Sequence, residues 1–176
     1  MTTEILLAGF GGQGVLFAGK ILAYCGLMDG KELSWLPSYG PEMRGGTANC
    51  SVCISDKPIG SPLVLEPDIL IAMNQPSFDK FVNSVKSGGK IFIDSTLIES
   101  KCERKDVEAY YIPSSQLADE NGLKGGSNMI LLGKLIKETG LFSKETVKKA
   151  VEKAVPPTKA KLIENNIKAI GIGMEN

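Results

Sequence analysis

The chain has 176 residues, in which 20 Lys and Arg side chains balance 20 Asp and Glu side chains, and it has no histidine. This length fits one domain, and zero net charge gives no electrostatic reason to expect nucleic acid or an anionic membrane as a partner. The lack of histidine excludes Ser-His-Asp and Cys-His nucleophiles, HExxH zinc sites and a histidine general base.

The first third of the chain predicts a strand, a glycine-rich turn, a helix and a second strand. Residues 5–8 are fully apolar, and the turn from Gly9 to Gly14 leads into a mostly apolar helix over residues 13–25, with Gly26 as its stop. Residues 32–36 read as the second strand. The start has no basic signal region and no apolar stretch spans a membrane, so we expect a cytoplasmic protein.

The middle of the chain alternates strands with short helical stretches. Residues 47–55 have period two with one polar face, which predicts an antiparallel or edge strand. Residues 68–73 and 91–94 are continuous apolar runs typical of buried parallel strands, and residues 107–112 are a further strand. Pro76 starts a helix between the first two of these runs.

The last third is predicted to be helical. Ser127 is expected to cap a helix that runs through Thr139 and is closed by Gly140, and apolar stripes predict two more helices on either side of Pro156-Pro157. Strands that alternate with helices indicate a three-layer α/β/α domain over residues 1–176, with a mainly parallel sheet and a Rossmann-like first βα unit.

Two phosphate-binding patterns are present only in part. Gly9-x-Gly11-x-x-Gly14 has the strand–turn–helix context of a dinucleotide fingerprint, but Glu32 begins the second strand, whereas a ribose-binding acid ends it. The run from Gly14 to Lys20 resembles a P-loop, yet Ile21 stands where Ser or Thr must hold Mg²⁺. A tight turn that serves another ligand or a protein contact is the favoured interpretation.

The four cysteines do not form a recognisable cluster motif. Cys50 and Cys53 are three apart on the alternating strand, so their thiols are predicted to point to opposite faces. Neither a second CxxC pair nor a histidine completes a zinc site, and Cys25 and Cys102 lack iron–sulfur spacing. We expect no metal and no cluster on this chain.

The loop from Pro37 to Gly46 is the most informative stretch. It holds two prolines and three glycines around hydroxyl groups, one acid and one arginine. Arg44 is suited to a phosphate or a carboxylate, and Glu42 could orient it, or the two could form a self-contained surface pair. Asn128, after Gly125-Gly126-Ser127, lies where helix N–H groups bind anions or are simply capped.

Taken together, these motifs resemble the gamma subunit of 2-oxoacid:ferredoxin oxidoreductases. The family pattern has a strand with a Gly-x-Gly-Gly-Gln-Gly turn, here Gly9–Gly14, and a Ser-Tyr-Gly-Pro-Glu-x-Arg-Gly-Gly loop, here Ser38–Gly46. Asn74-Gln75-Pro76 and an Asn-x4-Gly helix from Asn128 to Gly133 follow. The likeness covers about residues 4–137, and the loop resembles the 2-oxoglutarate and branched-chain enzymes more than the pyruvate enzymes. The indolepyruvate oxidoreductase beta subunit is similar as well.

The resemblance implies that a 2-oxoacid, coenzyme A and oxidised ferredoxin give acyl-CoA, CO₂ and reduced ferredoxin. It implies thiamine diphosphate, Mg²⁺ and iron–sulfur clusters on alpha, beta and ferredoxin-like delta partner subunits. This chain would be an accessory subunit, inactive alone, with no catalytic residue of its own. The alternatives are an independent nucleotide-binding protein and a pure scaffold, and a homodimer of the isolated chain is left open.

If the first two strands run parallel, the turn and the loop lie at one sheet edge, where α/β proteins bind ligands. The residues that we expect to contact coenzyme A or another anionic ligand are Gly9, Gly11, Gly12, Gln13, Gly14, Ser38, Tyr39, Glu42, Arg44 and Asn128. The alternative for the loop from Ser38 to Arg44 is that it contacts only partner subunits.

Overall fold

The computed structural model describes residues 1–38 and 47–176 of the chain. The strands are β1 (Thr2–Phe10), β2 (Glu32–Ser38), β3 (Thr47–Ser55), β4 (Ile69–Ala72), β5 (Lys90–Asp94) and β6 (Glu108–Ile112). The α-helices are α1 (Val15–Met28), α2 (Gln75–Phe81), α3 (Ser114–Glu120), α4 (Ser127–Thr139), α5 (Lys144–Ala154) and α6 (Ala160–Glu175), with 3₁₀ turns at Val82–Ser84 and Pro157–Lys159.

The six strands form one sheet in the order β2-β3-β1-β4-β5-β6. Strands β1, β4, β5 and β6 pair in parallel, whereas β3 is antiparallel to both of its neighbours, β1 and β2. β2 therefore points in the same direction as β1, but β3 lies between them. The mainly parallel sheet is confirmed, and β1, the glycine turn and α1 form the predicted first βα unit. β2 does not pair with β1, because β3 takes the place beside β1.

Two apolar cores lie on the two faces of the sheet, which confirms the three-layer α/β/α architecture. One core joins the sheet to α1, α3, α4, α5 and α6. The other core is covered by α2, its 3₁₀ turn and loop segments. The second face thus has much thinner helical cover than the first.

Strand β3 is antiparallel, as its alternation predicts, but it is not an edge strand. Its polar face is buried, because the segment 58–67, which we call the strap, lies across it. The Val64 amide donates to Ser51 Oγ at 3.4 Å, and the Cys53 thiol donates to the Ser61 carbonyl at 3.9 Å. The polar residues on this face of β3 are therefore buried under the strap and do not contact solvent.

The helices differ from the sequence prediction in three places. α1 continues to Met28 because Gly26 is buried against Ile54 and does not stop it. The predicted helix from Ser127 to Thr139 is confirmed, but Gly126 takes the N-cap position. Helix α3 was not predicted, since its seven residues have no apolar stripe.

Candidate functional site

The turn from Gly9 to Gly14 joins the carboxyl end of β1 to α1. Gly12 and Gly14 have φ values of 96° and 75°, a left-handed conformation that favours glycine. Gly11 and Gly12 are exposed, and within the described residues the amides of Gly11, Gly12 and Gly14 donate to no acceptor. The turn therefore presents free N–H donors at a helix N-terminus, an arrangement that suits an anion.

Gln13 holds this turn against the next strand along the sheet. Its Oε1 accepts the Phe10 amide at 2.6 Å, and its Nε2 donates to the Met73 carbonyl at 2.9 Å. Asn74, which caps α2 by accepting the Ser77 amide at 2.9 Å, donates to Gln13 Oε1 at 3.4 Å. The Gln13 side chain thus fixes the turn between β1 and β4, and its predicted contact with a ligand stays a prediction.

Asn128 fixes the same turn from the opposite side. It is buried at the start of α4, where its Nδ2 donates to the Gly14 carbonyl at 3.1 Å. A Cβ atom at Gly14 would collide with Asn128 Nδ2, so Gly14 is required by close approach as well as by φ. Asn128 thus lies beside the turn and binds its backbone, and its predicted contact with a ligand stays a prediction.

A depression of about 250 Å³ lies beside the turn. Gly12 and Gln13 line one wall, and Ser115, Asp119 and Ser127 line the others. Behind Ser115 lies Asp94, which ends β5 and is 1% exposed.

Asp94 organises that wall. Its Oδ2 accepts the Ser115 hydroxyl at 2.5 Å, and its Oδ1 accepts the amides of Thr96 and Ser115 at 3.1 and 3.3 Å. Sequence reasoning missed Asp94 and Ser115, although a carboxylate at the end of a buried strand was a usable signal.

The second predicted segment begins at the same edge. Ser38 ends β2 opposite Asn49, and Phe10 lies opposite Thr47, so the residues that flank positions 39–46 lie beside the turn. Ser38 is exposed. Tyr39, Glu42 and Arg44 fall outside the described residues, and their ligand contacts stay a prediction.

A dinucleotide is a poor fit to this edge. Glu32 lies opposite Ser55, at the end of β2 remote from the turn. The described residues that end β2 are Leu36, Pro37 and Ser38, none of which has a carboxylate for ribose hydroxyls.

The cysteines do not have the geometry of a cluster or of a redox pair. Cys50 lies in the core beside α1 and Cys53 in the core on the other face, which confirms their predicted divergence. Burial raises the pKa of the Cys25 and Cys50 thiols to about 12, so neither is a thiolate at neutral pH. Within residues 1–38 and 47–176, no three His, Cys, Asp or Glu side chains are grouped to hold a metal ion.

None of the helices in the described ranges has the length and apolar character needed to cross a membrane.

Comparison with known proteins identifies the family. The family model described as pyruvate ferredoxin/flavodoxin oxidoreductase matches residues 4–176. The chain is 40% identical to the 2-oxoglutarate synthase subunit KorC of Methanocaldococcus jannaschii, over 99% of this chain and 94% of that protein. It is 40% identical to the ketoisovalerate oxidoreductase subunit VorA of Methanothermobacter thermautotrophicus, over 98% of this chain but 36% of that protein.

A solved structure agrees with these relatives. The keto/oxoacid ferredoxin oxidoreductase gamma subunit from Geobacter sulfurreducens is 34% identical, with a TM-score of 0.83 over 98% of this chain and 96% of that one. The chain therefore belongs to the pyruvate ferredoxin/flavodoxin oxidoreductase family, as a gamma-type subunit of a 2-oxoacid:ferredoxin oxidoreductase.

Proposed function

We propose that this chain is the gamma subunit of a 2-oxoglutarate:ferredoxin oxidoreductase of the cytoplasm. The relatives named 2-oxoglutarate synthase KorC match the chain over nearly their whole length, at up to 40% identity. A branched-chain 2-oxoacid is the second candidate, because VorA is equally similar over a shorter part of its length.

The observation that carries the proposal is the set of free amides in the turn from Gly11 to Gly14. Gln13 and Asn128 hold these donors in place from two sides, so binding an anion needs little rearrangement of the backbone. The turn is thus suited to a phosphate of coenzyme A or a substrate carboxylate. Ser38, at the end of β2, would supply a hydroxyl group to the bound anion. Arg44, in the loop that follows, would supply a positive charge.

The cofactors are proposed to reside on partner subunits of the alpha, beta and ferredoxin-like delta types. Thiamine diphosphate with Mg²⁺ would stabilise the carbanion there, and iron–sulfur clusters would accept the electrons. The described cysteines of this chain do not fit a cluster, because Cys50 and Cys53 diverge and Cys25 is buried. What this chain contributes is a wall of the composite site.

The test is reconstitution with the partner subunits from the same organism. The complex should reduce a viologen dye with 2-oxoglutarate and coenzyme A, whereas the purified chain alone should be colourless and inactive. A panel of pyruvate, ketoisovalerate, indolepyruvate and 2-oxoglutarate distinguishes the candidates. Preference for ketoisovalerate would show that the complex is the branched-chain enzyme. Dye reduction by the lone chain would overturn the accessory role.

Arg44→Ala tests the ligand role of the loop. Loss of one charge-assisted hydrogen bond, about 1.5–3 kcal/mol, should raise the apparent KM for one anionic reactant about ten- to hundredfold. Arg44→Lys should recover only part of this, because the planar fork is lost. Wild-type kinetics in an assembled Arg44→Ala complex would exclude the ligand role, and failure to assemble would indicate an interfacial one.

A further inference from the structure

Two polar side chains of α3 line the depression beside the turn. Ser115 and Asp119 are four residues apart, so they lie on one face of the helix, one turn from each other. Asp119 is exposed, and its carboxylate accepts hydrogen bonds but donates none. The facing wall includes Gly12, whose amide has no acceptor among the described residues. The depression therefore has a donor on one side and an acceptor on the other.

Asp94 determines what the Ser115 hydroxyl can offer a ligand. A carboxylate only accepts hydrogen bonds, so the 2.5 Å contact between Ser115 Oγ and Asp94 Oδ2 uses the hydroxyl proton. Asp94 cannot turn away, because it is buried and its Oδ1 accepts the amides of Thr96 and Ser115. Ser115 is partly exposed, and towards the depression its hydroxyl group has only lone pairs left. Ser115 is thus a second acceptor on the α3 wall.

We propose that Asp94, acting through Ser115, makes this site select an anionic ligand that carries N–H donors next to its anionic group. The inference rests on the anion-binding role of the turn proposed above. The anionic group binds the free amides of the turn, and the N–H groups donate to Ser115 and Asp119. A bare anion gains only the first set of contacts, and the negative charge of Asp119 repels it. Asp94 is a positioning residue, since it is buried behind Ser115.

Asp94→Asn should reverse the hydrogen-bonding character of Ser115. The backbone amides of Thr96 and Ser115 require an acceptor at the position of Oδ1, so the asparagine oxygen stays there and Nδ2 takes the place of Oδ2. Nδ2 then donates to Ser115 Oγ, and the hydroxyl proton is released towards the depression. An N–H donor of the ligand meets an O–H donor, whereas the contacts of the anion with the turn are retained.

The experiment compares the binding of two phosphate monoesters to the full chain. 2-Aminoethyl phosphate has an ammonium group beside its phosphate, and ethyl phosphate lacks it. Titrations followed through the NMR shifts of the Gly11 and Gly12 amides give both dissociation constants, and their ratio measures the preference for N–H donors. The wild type should prefer 2-aminoethyl phosphate. Asp94→Asn should lower the preference about tenfold, and Ser115→Ala, which removes the acceptor without adding a donor, about threefold.

Glu120→Gln is the matched control for the loss of a carboxylate. Glu120 is exposed on α3, does not line the depression and binds Gln116, so its replacement should leave the ratio of dissociation constants unchanged. The double variant Asp94→Asn/Ser115→Ala tests whether Asp94 acts through Ser115. It should have the preference of Ser115→Ala alone, because no hydroxyl remains for Asp94 to orient.

Three results would overturn the inference. They are a wild type whose turn amides respond to neither ester, a preference that Ser115→Ala leaves unchanged, and a further loss of preference in the double variant. Melting temperatures show whether each variant is folded, and if Asp94→Asn does not fold, Ser115→Ala decides the outcome. If the preference depends on Ser115 but the reconstituted complex oxidises no 2-oxoacid, the proposed function fails and this inference stands.

Discussion

The two ends of the parallel strands, the carboxyl edge and the amino edge of the sheet, are stabilised by different interactions. At the carboxyl edge, neutral amide side chains of Gln13 and Asn128 bind backbone groups, and the amides of Gly11, Gly12 and Gly14 have no acceptor among the described residues. At the amino edge, charged side chains bind one another, as Lys86 does with Glu4 at 2.6 Å and with Asp68 at 3.0 Å. The first arrangement leaves binding capacity for a ligand, and the second satisfies its charges internally.

Cavity size alone would select the amino edge of the sheet rather than the proposed site. The amino edge holds a cavity of about 440 Å³, lined by Asp68, Lys86, Lys90 and Glu138, against about 250 Å³ beside the turn. Its lysines are already paired, Lys86 with two carboxylates and Lys90 with Glu108 at 2.8 Å. Free, preorganised donors therefore mark the candidate site better than volume does.

Among the variants that test this comparison, Gly14→Ala should lower the free energy of unfolding most. A left-handed alanine costs about 1–2 kcal/mol, and the collision with Asn128 adds about 1–3 kcal/mol, so the free energy of unfolding should fall by about 2–5 kcal/mol. Gly12→Ala is the control, because its φ is also positive but its Cβ would meet open space. Chemical denaturation measures both, and equal losses would contradict the close packing of Asn128 on Gly14.

Gln13→Leu should have the next largest effect. It leaves the Phe10 amide and the Met73 carbonyl without their partner, which should lower the free energy of unfolding by about 1–3 kcal/mol. Hydrogen exchange at the Phe10 amide should become faster. Gln116→Leu is the control, since exposed Gln116 binds Glu120 on the helix surface and its loss should cost less than about 0.5 kcal/mol. Unchanged exchange at Phe10 would show that Gln13 does not fix the turn.

Lys86→Met tests the ion pairs at the amino edge. The free energy of unfolding should fall by less than about 1 kcal/mol, because Lys86, Glu4 and Asp68 are all partly exposed. The hydrogen bond to Glu4 is the main cause that raises the pKa of Lys86. The contribution of Lys86 to the free energy of unfolding is therefore fully present below about pH 10.4, the usual pKa of an unfolded lysine. It is lost as the pH rises through the raised pKa of Lys86 in the folded protein. Denaturation at high pH or in 1 M salt should narrow the gap between variant and wild type. A gap that persists under both conditions would exclude an ion-pair origin.

Asp56→Asn should have the smallest effect on stability, and the effect should change only at acidic pH. Hydrogen bonds from Lys31 and the N-terminal ammonium lower the pKa of Asp56 from 3.8 to about 2. Its contribution is present above about pH 3.8 and disappears as pH falls towards 2. A series of melting temperatures over this range should fall less steeply for the variant than for the wild type. Parallel curves would show that the exposed pair contributes nothing measurable.

Local sequence determined much of the framework. Continuous apolar runs identified β4 and β5, and Ser127 with the stop at Gly140 identified α4. Apolar stripes identified α5 and α6, and period two placed Cys50 and Cys53 on opposite faces. The family motifs identified the turn and the relatives. These features are readable because each depends on neighbours within a few residues, through side-chain periodicity or a glycine's φ.

Tertiary structure alone decided which strands meet and what the polar side chains bind. β3 returns between β1 and β2, and residues in the strap bury its polar face, through contacts that neither segment encodes locally. Gln13 reaches Met73 across 60 positions and Asn128 reaches Gly14 across 114, so the side chains of two residues predicted to bind a ligand bind distant backbone groups as well. A side-chain amide can satisfy a ligand or a distant carbonyl equally well, and only the packed fold determines which of them lies within hydrogen-bonding distance.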